Sequence, residues 1–319
     1  MSLSILIPFH NEGVDFIQEA IRSIKETVDV EYEVIIADDC SEEALVLEEE
    51  YVTVVRQKSH LGVGQAFNLA ASHAKYDNLW LQGNDIRFAH NNWASKMISA
   101  VDENPKSVIC TICVGLNTDA PINMDIEHRR KRSRRNGSTI LFYHDHLTHP
   151  KKHPTFKNIL ECQWLPMVQT TGLVEIPAVL GAAYIVKREW YNHMDGWWGH
   201  RSWGTLEPYI SLKSWLMGGN CLCNHDVDTG HIFKGRVSPH GTPHHHLTYN
   251  KLLTATLLLP EDLATTMIDY LGENPQLDES KKMFNQVKDS IFAKREEYRE
   301  KIVYHVREYC QKFNIELRE

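Results

Sequence analysis

Three pairs of acidic or amide residues stand where a short apolar run ends: Asn11-Glu12 after residues 3–9, Asp38-Asp39 after Tyr32 to Ala37, and Asn84-Asp85 after Asn78 to Leu81. A carboxylate at the second of these ends can accept from a base N–H or a ribose hydroxyl. One at the third can ligate a hard divalent cation that screens a diphosphate. Together they point to a nucleotide diphosphate site, although each pair taken singly is equally a helix N-cap or a turn. The segment His60 to Asn68 adds Gly62-Val63-Gly64 at a helix start, but it lacks the full G-x-G-x-x-G pattern and its acidic partner, which argues against a dinucleotide site.

The elements that must position these groups alternate. Residues 3–9 read as a buried strand, and Asn11 to Thr27 carries Val14, Ile17, Ile21 and Ile24 at helical spacing. Tyr32 to Ala37 and Val52 to Val55 read as strands, with a weak helical pattern over Glu42 to Glu50 between them. Gly64 to Ala74 is a helix, Asn78 to Leu81 a strand, Asn92 to Val101 a helix and Ser107 to Gly115 a strand. Strand and helix in alternation predict an α/β fold with a doubly wound parallel sheet and ligands at the carboxyl ends of its strands. Residues 117–165 are polar, basic and His-rich, and read as an insertion or mobile loop. Regular structure resumes at Leu173 to Val186. Glu207 to Met217 is helical and stopped by Gly218-Gly219, and the chain beyond Pro260 is helical, notably Met283 to Phe313.

Composition narrows the class. With 319 residues, 42% hydrophobic and 24% charged, the chain is long enough for a sizeable core and is not disordered or collagenous as a whole. No run approaches the roughly 20 apolar residues of a membrane helix, and the first eight residues read as a strand rather than a signal peptide. Seven cysteines, an odd number widely spread, argue for a reducing, cytoplasmic setting. Cys110-x-x-Cys113 lies in an apolar run and reads as packing, and Cys221-x-Cys223 has no second pair to complete a zinc site. The net charge of −8 excludes a global nucleic-acid signature, yet Arg129, Arg130, Lys131, Arg132, Arg134 and Arg135 form one basic run on an otherwise acidic chain.

Ile7-Pro8-Phe9-His10-Asn11-Glu12, Ile36-Ala37-Asp38-Asp39-Cys40-Ser41 and Gly62 to Asn68 resemble the nucleotide-binding half of GT-A fold glycosyltransferases of the family-2 type. Ile176 to Val186, Trp203-Gly204-Thr205-Leu206-Glu207 through Trp215, and Gly230-His231-Ile232-Phe233-Lys234 resemble the polypeptide N-acetylgalactosaminyltransferase branch. The resemblance spans about residues 3–255. It implies a GT-A domain over 1–255 (nucleotide-binding half 1–116, insertion 117–165, acceptor half 166–255) with a helical C-terminal extension at 256–319. It implies transfer of a sugar from a nucleotide diphosphate, a UDP-sugar, to a hydroxyl. Retention of configuration follows the closer resemblance and inversion the broader one.

The resemblance also assigns roles. Pro8, His10, Asn11, Glu12, Asp38, Asp39, Gly62, Gln65, Asn68 and Asn84 fall on the donor side, with Asp38 and Asp39 at the uracil-ribose end. Asp85, His231 and Asn84 fall at a divalent metal, Mn2+ or Mg2+. Glu207 and Asp85 are the catalytic candidates, and Trp198, Trp203 and Gly204 the sugar and acceptor side, where an aromatic face can pack on a pyranose. The family's metal motif has two carboxylates where this chain has Gln82 and Asn84, and neutral amides are poorer ligands for a hard cation. Three outcomes stay open: Asp85 with His231 holds the ion, the donor's phosphates carry a weak site, or metal is dispensed with. His240, His244, His245 and His246 correspond to a flexible loop over the diphosphate. The basic run is a solvated loop or a contact for a polyanionic acceptor, such as a hydroxymethylated base in DNA. The competing class is a non-catalytic GT-A-like protein that holds nucleotide or nucleic acid.

Overall fold

The computed structural model describes residues 1–88, 90–116, 130–142, 159–180, 183–233, 243–271 and 277–317. Its frame is a mixed sheet. β1 (Ser2–Phe9), β2 (Glu31–Asp38), β3 (Val52–Arg56) and β4 (Asn78–Gln82) run parallel to one another, as the alternating pattern predicts. β5 (Ile86–Phe88), β6 (Ser107–Leu116), β7 (Arg130–Arg135), β10 (Leu173–Glu175), β11 (Ala183–Lys187) and β12 (Asn220–Ile232) complete it. The main path is β10-β12-β6-β11-β4-β1-β2-β3, with β5 on β12 and β7 on β6. β11 lies antiparallel between β4 and β6, so the sheet is not the all-parallel one expected from sequence. An apolar run shows that a strand is central, but both faces of a central strand are covered whichever way it runs.

Two cores form on the two faces, and alternate residues of one strand feed each. Leu3, Ile5, Ile7 and Phe9 of β1 pack with Ile17, Ile21 and Ile24 of α1 (Val14–Thr27) and with α3 (Trp93–Glu103). Leu6 points the other way, toward Ala66 and Phe67 of α2 (Val63–His73). Beyond β11 come α4 (Arg188–His193), α5 (Leu206–Leu216), α6 (His244–Leu258), α7 (Glu261–Leu271), α8 (Leu277–Gln286), α9 (Lys288–Lys301) and α10 (Val306–Lys312).

Two expectations fail for definable reasons. Residues 42–50 are not helical: the N–H groups of Ser41 and Leu45 go to the Asp38 carboxylate, that of Glu42 goes to Asn11 Oδ1, and Leu45 turns into the core. Part of 117–165 is strand rather than loop. β7 pairs antiparallel with β6, and β8 (Ser138–Leu141) pairs with β9 (Glu161–Trp164). A strand at a sheet margin can carry charge at every position without burying it, so β7 has no apolar signature. Arg134 Nη2 lies 2.6 Å from Asp228 Oδ1, and Arg135 sits over the Trp164 ring. Arg129 falls outside the described residues, and for Arg130, Lys131 and Arg132 the backbone alone is described.

The helical C-terminal region shares the core that Leu6, Ala66 and Phe67 enter. Ile291, Tyr298, Val306 and Tyr309 are buried against strands and α5. Chemically, α9 grips the turn after α4. Lys213 of α5, fully buried, donates to Gly196 O (2.8 Å) and Tyr298 Oη (2.9 Å), and Lys301 donates to His193 O (2.9 Å). Burial pushes the Lys213 ammonium well below its ordinary pKa. Tyr298→Ala is therefore expected to lower stability by about 3 kcal/mol, and guanidinium unfolding followed by both fluorescence and circular dichroism should stay a single transition. Separate transitions would mean that the C-terminal helices fold independently.

Candidate active site

The short pairing of β5 with β12 aligns Ile86 with His231, and Ile232 N–H donates to Asp85 O at 2.9 Å. Asp85 Oδ2 and His231 Nε2 thereby stand 3.4 Å apart, each side chain about one sixth exposed. That spacing lets a single cation with bonds of about 2.1 Å reach both atoms. His231 Nδ1 is buried without a hydrogen-bond partner among the described residues, and the ring edge meets Phe233 at 4.1 Å. Asn84, 4% exposed, belongs to the same turn, and its carbonyl accepts from Arg87 Nη1 at 2.7 Å. Gln82 is turned inward, accepting from Trp80 Nε1 at 2.8 Å, and is not available as a ligand. No group of three or more His, Cys, Asp or Glu residues capable of holding a metal occurs among the described residues, so these residues offer an ion two strong ligands and leave its other positions to oxygen atoms from elsewhere.

Glu207 enters from α5. The backbone turns into this helix through Ser202, Gly204 and Thr205, all at positive φ, a conformation disfavoured for Ser and Thr. Glu207 Oε1 accepts from Tyr184 Oη at 3.0 Å, and the charge of His231 acts on it. Burial raises the Glu207 carboxyl above its ordinary value, outweighing its own helix N–H, Tyr184 and His231. Behind it, burial and then Glu207 push the Cys162 thiol well up, leaving it inert. Thus Asp85 meets His231, Glu207 meets Tyr184, and Glu207 lies within electrostatic reach of His231. Tyr184 lies within the segment Ile176 to Val186, but nothing in its spacing marks its hydroxyl as a partner for Glu207.

The donor-side candidates from Pro8 to Asp39 sit at the carboxyl ends of β1 and β2, one and two strand spacings, or roughly 5 and 10 Å, across the sheet from the end of β4. Pro8 pairs with Ala37 inside the β1–β2 ladder. Asp38 is fully buried. Burial pushes its carboxyl up, but donation from Ser41, Leu45 and Arg56 more than offsets this and holds it below the ordinary value. Asp39 accepts from Leu61 N (2.9 Å) and Gly62 N (2.6 Å), with His60 Nδ1 at 2.9 Å. Both carboxylates are engaged by backbone and side-chain donors of the loops that follow them. His10 Nδ1 lies 2.8 Å from Asp39 O and its ring stacks on His60 at 4.1 Å. Asn11, at φ 51°, accepts from Glu42 N, with Glu12 following it at the rim.

Gly62, Gln65 and Asn68 face the 197–202 turn. A Cβ on Gly62 would stand 2.3 Å from the Ser202 backbone, so only glycine fits. Gln65 Nε2 donates to Trp197 O (2.7 Å), and Asn68 Oδ1 accepts from Trp197 N (3.0 Å) and Tyr191 Oη (2.7 Å). They position the turn. Trp197 is core, stacked on Phe67. Trp198 is partly buried with Lys294 over its ring, and Trp203 is 60% exposed, so among the tryptophans proposed as a platform Trp203 offers the free face. Gly204 is packed under Leu247. His244, His245 and His246 open α6 rather than a flexible loop; His246 Nδ1 lies 2.6 Å from Ser202 Oγ. His240, Gly181, Ala182 and Lys234 fall outside the described residues.

The sequence profile of glycosyl transferase family 2 matches residues 4–164, half of the chain. The chain belongs to glycosyl transferase family 2. Polypeptide N-acetylgalactosaminyltransferase 11 of Xenopus tropicalis is 24% identical over 281 residues, 81% of this chain and 43% of that protein. Polypeptide N-acetylgalactosaminyltransferase 10 of Rattus norvegicus is 24% identical over 251 residues, 75% of this chain and 39% of that protein. This family-2 chain therefore spans about two fifths of the length of the curated relatives it matches. The crystal structure of GalNAc-T7 with UDP, GalNAc and Mn2+ superposes with a TM-score of 0.73 at 16% identity, covering 98% of this chain and 57% of that one, which shows a shared GT-A fold. No helix among the described residues is long and apolar enough to cross a membrane.

Because the folded pKa of Glu207 lies above its unfolded value, its protonated form favours folding. That contribution is present below the ordinary value of 4.5 and is lost as pH rises through the folded value. Glu207→Gln, which keeps an acceptor for Tyr184, is expected to melt above the wild type at about pH 7.5, with the gap closing at about pH 4. An equal melting temperature at both would show that Glu207 ionises without cost.

Proposed function

We propose that this family-2 chain transfers a sugar from a nucleotide diphosphate donor, a UDP-sugar, to an acceptor hydroxyl. The convergence of Asp85, His231 and Glu207 at the carboxyl edge of the sheet carries this reading. The names of the relatives and the UDP, GalNAc and Mn2+ held by the GalNAc-T7 structure support it. Asp85 and His231 would hold a divalent cation, Mn2+ or Mg2+, with Asn84 beside them as a weak neutral contact. Such an ion, when bound, supplies positive charge against a leaving diphosphate. The wall built by Pro8, His10, Asn11, Glu12, Asp38 and Asp39 would receive the nucleoside. Glu207, oriented by Tyr184 and half-buried, would face the sugar and acceptor hydroxyl, where a carboxyl whose pKa is raised by burial holds its proton more readily than a free one and can exchange it with the acceptor. Trp203 would offer the stacking face for the incoming group. Gln65, Asn68 and Gly62 act indirectly, by holding the turn that leads to Trp203.

For the acceptor, we infer a polyanion met by the basic run Arg129 to Arg135, consistent with a hydroxymethylated base in DNA inside a cell. Residues 130–135 lie in the paired strand β7, so the backbone of most of that run is held on β6. The presence of two strong metal ligands, rather than three, among the described residues keeps a second reading in view, a GT-A-like protein that binds nucleotide without turnover.

Release of UDP from a panel of UDP-sugars, with and without Mn2+, separates the two. Metal-dependent release is expected, and Asp85→Asn or His231→Ala should lower it at least about 100-fold with the fold intact. No release with any donor, together with no nucleotide-induced thermal shift, would overturn the enzyme reading. Replacing Arg129, Arg130 and Arg132 by Ala should weaken duplex binding and reduce its salt slope by roughly one unit for each phosphate no longer neutralised, leaving donor hydrolysis unchanged. Unaltered DNA affinity would remove DNA as the acceptor.

A further inference from the structure

Arg87 is 2% exposed, two residues after Asp85, and its guanidinium holds the carbonyls of the two residues that flank that aspartate. Nη1 donates to Asn84 O at 2.7 Å and to Ile86 O at 2.8 Å. Nη2 reaches across to α1, donating to Phe16 O and to Glu19 Oε2, both at 3.2 Å, and the group lies 4.8 Å over the Phe16 ring. Its Nε has no partner among the described residues. Burying a guanidinium on one partly exposed carboxylate is a poor way to gain stability, since desolvation offsets most of the Coulombic attraction. What the arrangement does secure is direction. With the carbonyls before and after Asp85 tied to one rigid planar fork, and with Asp85 O bonded to Ile232 N, the Asp85 backbone has little freedom, and its carboxylate is held toward His231.

We infer that Arg87 is a positioning residue that presets Asp85 as a cation ligand, and that it ties this turn to α1, the helix following the donor-side segment His10 to Glu12. The inference rests on the proposed metal role of Asp85 and His231. A site with two strong ligands depends on both being in place before the ion arrives, because reorienting a ligand costs affinity directly.

The test is Mn2+ binding to the full chain in the presence of UDP, read as free Mn2+ by electron paramagnetic resonance, with UDP affinity in EDTA measured alongside. Arg87→Met should weaken Mn2+ binding about 10-fold or more while UDP affinity in EDTA stays as in the wild type, a split that general loosening of the fold would not produce. Glu19→Gln, which leaves the guanidinium in place and slackens its outer tether, should give a smaller shift in the same direction. If circular dichroism shows Arg87→Met to be unfolded, Glu19→Gln decides: a Mn2+ shift at constant UDP affinity upholds the role, and wild-type Mn2+ binding overturns it. Asp85→Asn serves as the reference. Loss of Mn2+ in Asp85→Asn with wild-type binding in both Arg87→Met and Glu19→Gln overturns the positioning role alone, whereas a wild type that binds no Mn2+ overturns the metal reading itself.

Discussion

Much of this molecule depends on three rungs of antiparallel pairing between β5 and β12. β12 pairs with β6 on either side of a bulge between Asn224 and Asp228, with His231 opposite Gly115, and β5 is then laid against it with Ile86 opposite His231. A slip of one residue in either ladder would turn the His231 side chain to the other face of the sheet, away from Asp85. The site is therefore as well defined as the register of the sheet, and that register is set by a core whose alternate residues leave no freedom to slide.

Around that pairing, acidic residues divide into two kinds. Asp38 and Asp39 are surrounded by N–H donors and fold the loops that follow them, so their charge is consumed locally. Asp85 faces a histidine, and Glu207 faces a tyrosine hydroxyl, so their charge is directed at one another's neighbourhood and at whatever enters between them.

The turn from His193 to Ser202 shows the same division on a larger scale. Gln65 and Asn68 hold it from α2, Lys213 and Tyr209 from α5, and Tyr298 and Lys301 from α9. Three elements far apart in the chain converge on ten residues, after which the backbone passes through left-handed conformations to present Trp203 and Glu207. Strain of this kind persists because the neighbours over-determine it.

The residues themselves determined the first strands and helices, the three strand-end pairs, the helical C-terminal region and the kinship with family 2, because apolar periodicity and motif order are local properties of a chain. Asp85, Glu207 and His231 stood out in the sequence as candidates through motif order alone. Tertiary structure alone decided that β11 runs antiparallel, that residues 42–50 wrap around Asp38 instead of forming a helix, that the basic run lies as a strand on β6, and that Tyr184 and Arg87 complete the site. Each of these turns on which donor meets which acceptor across tens of residues, and no local pattern encodes that pairing. The physical reason is that a polar group's role is fixed by its partners after folding, whereas an apolar group's place is largely fixed by its spacing before it.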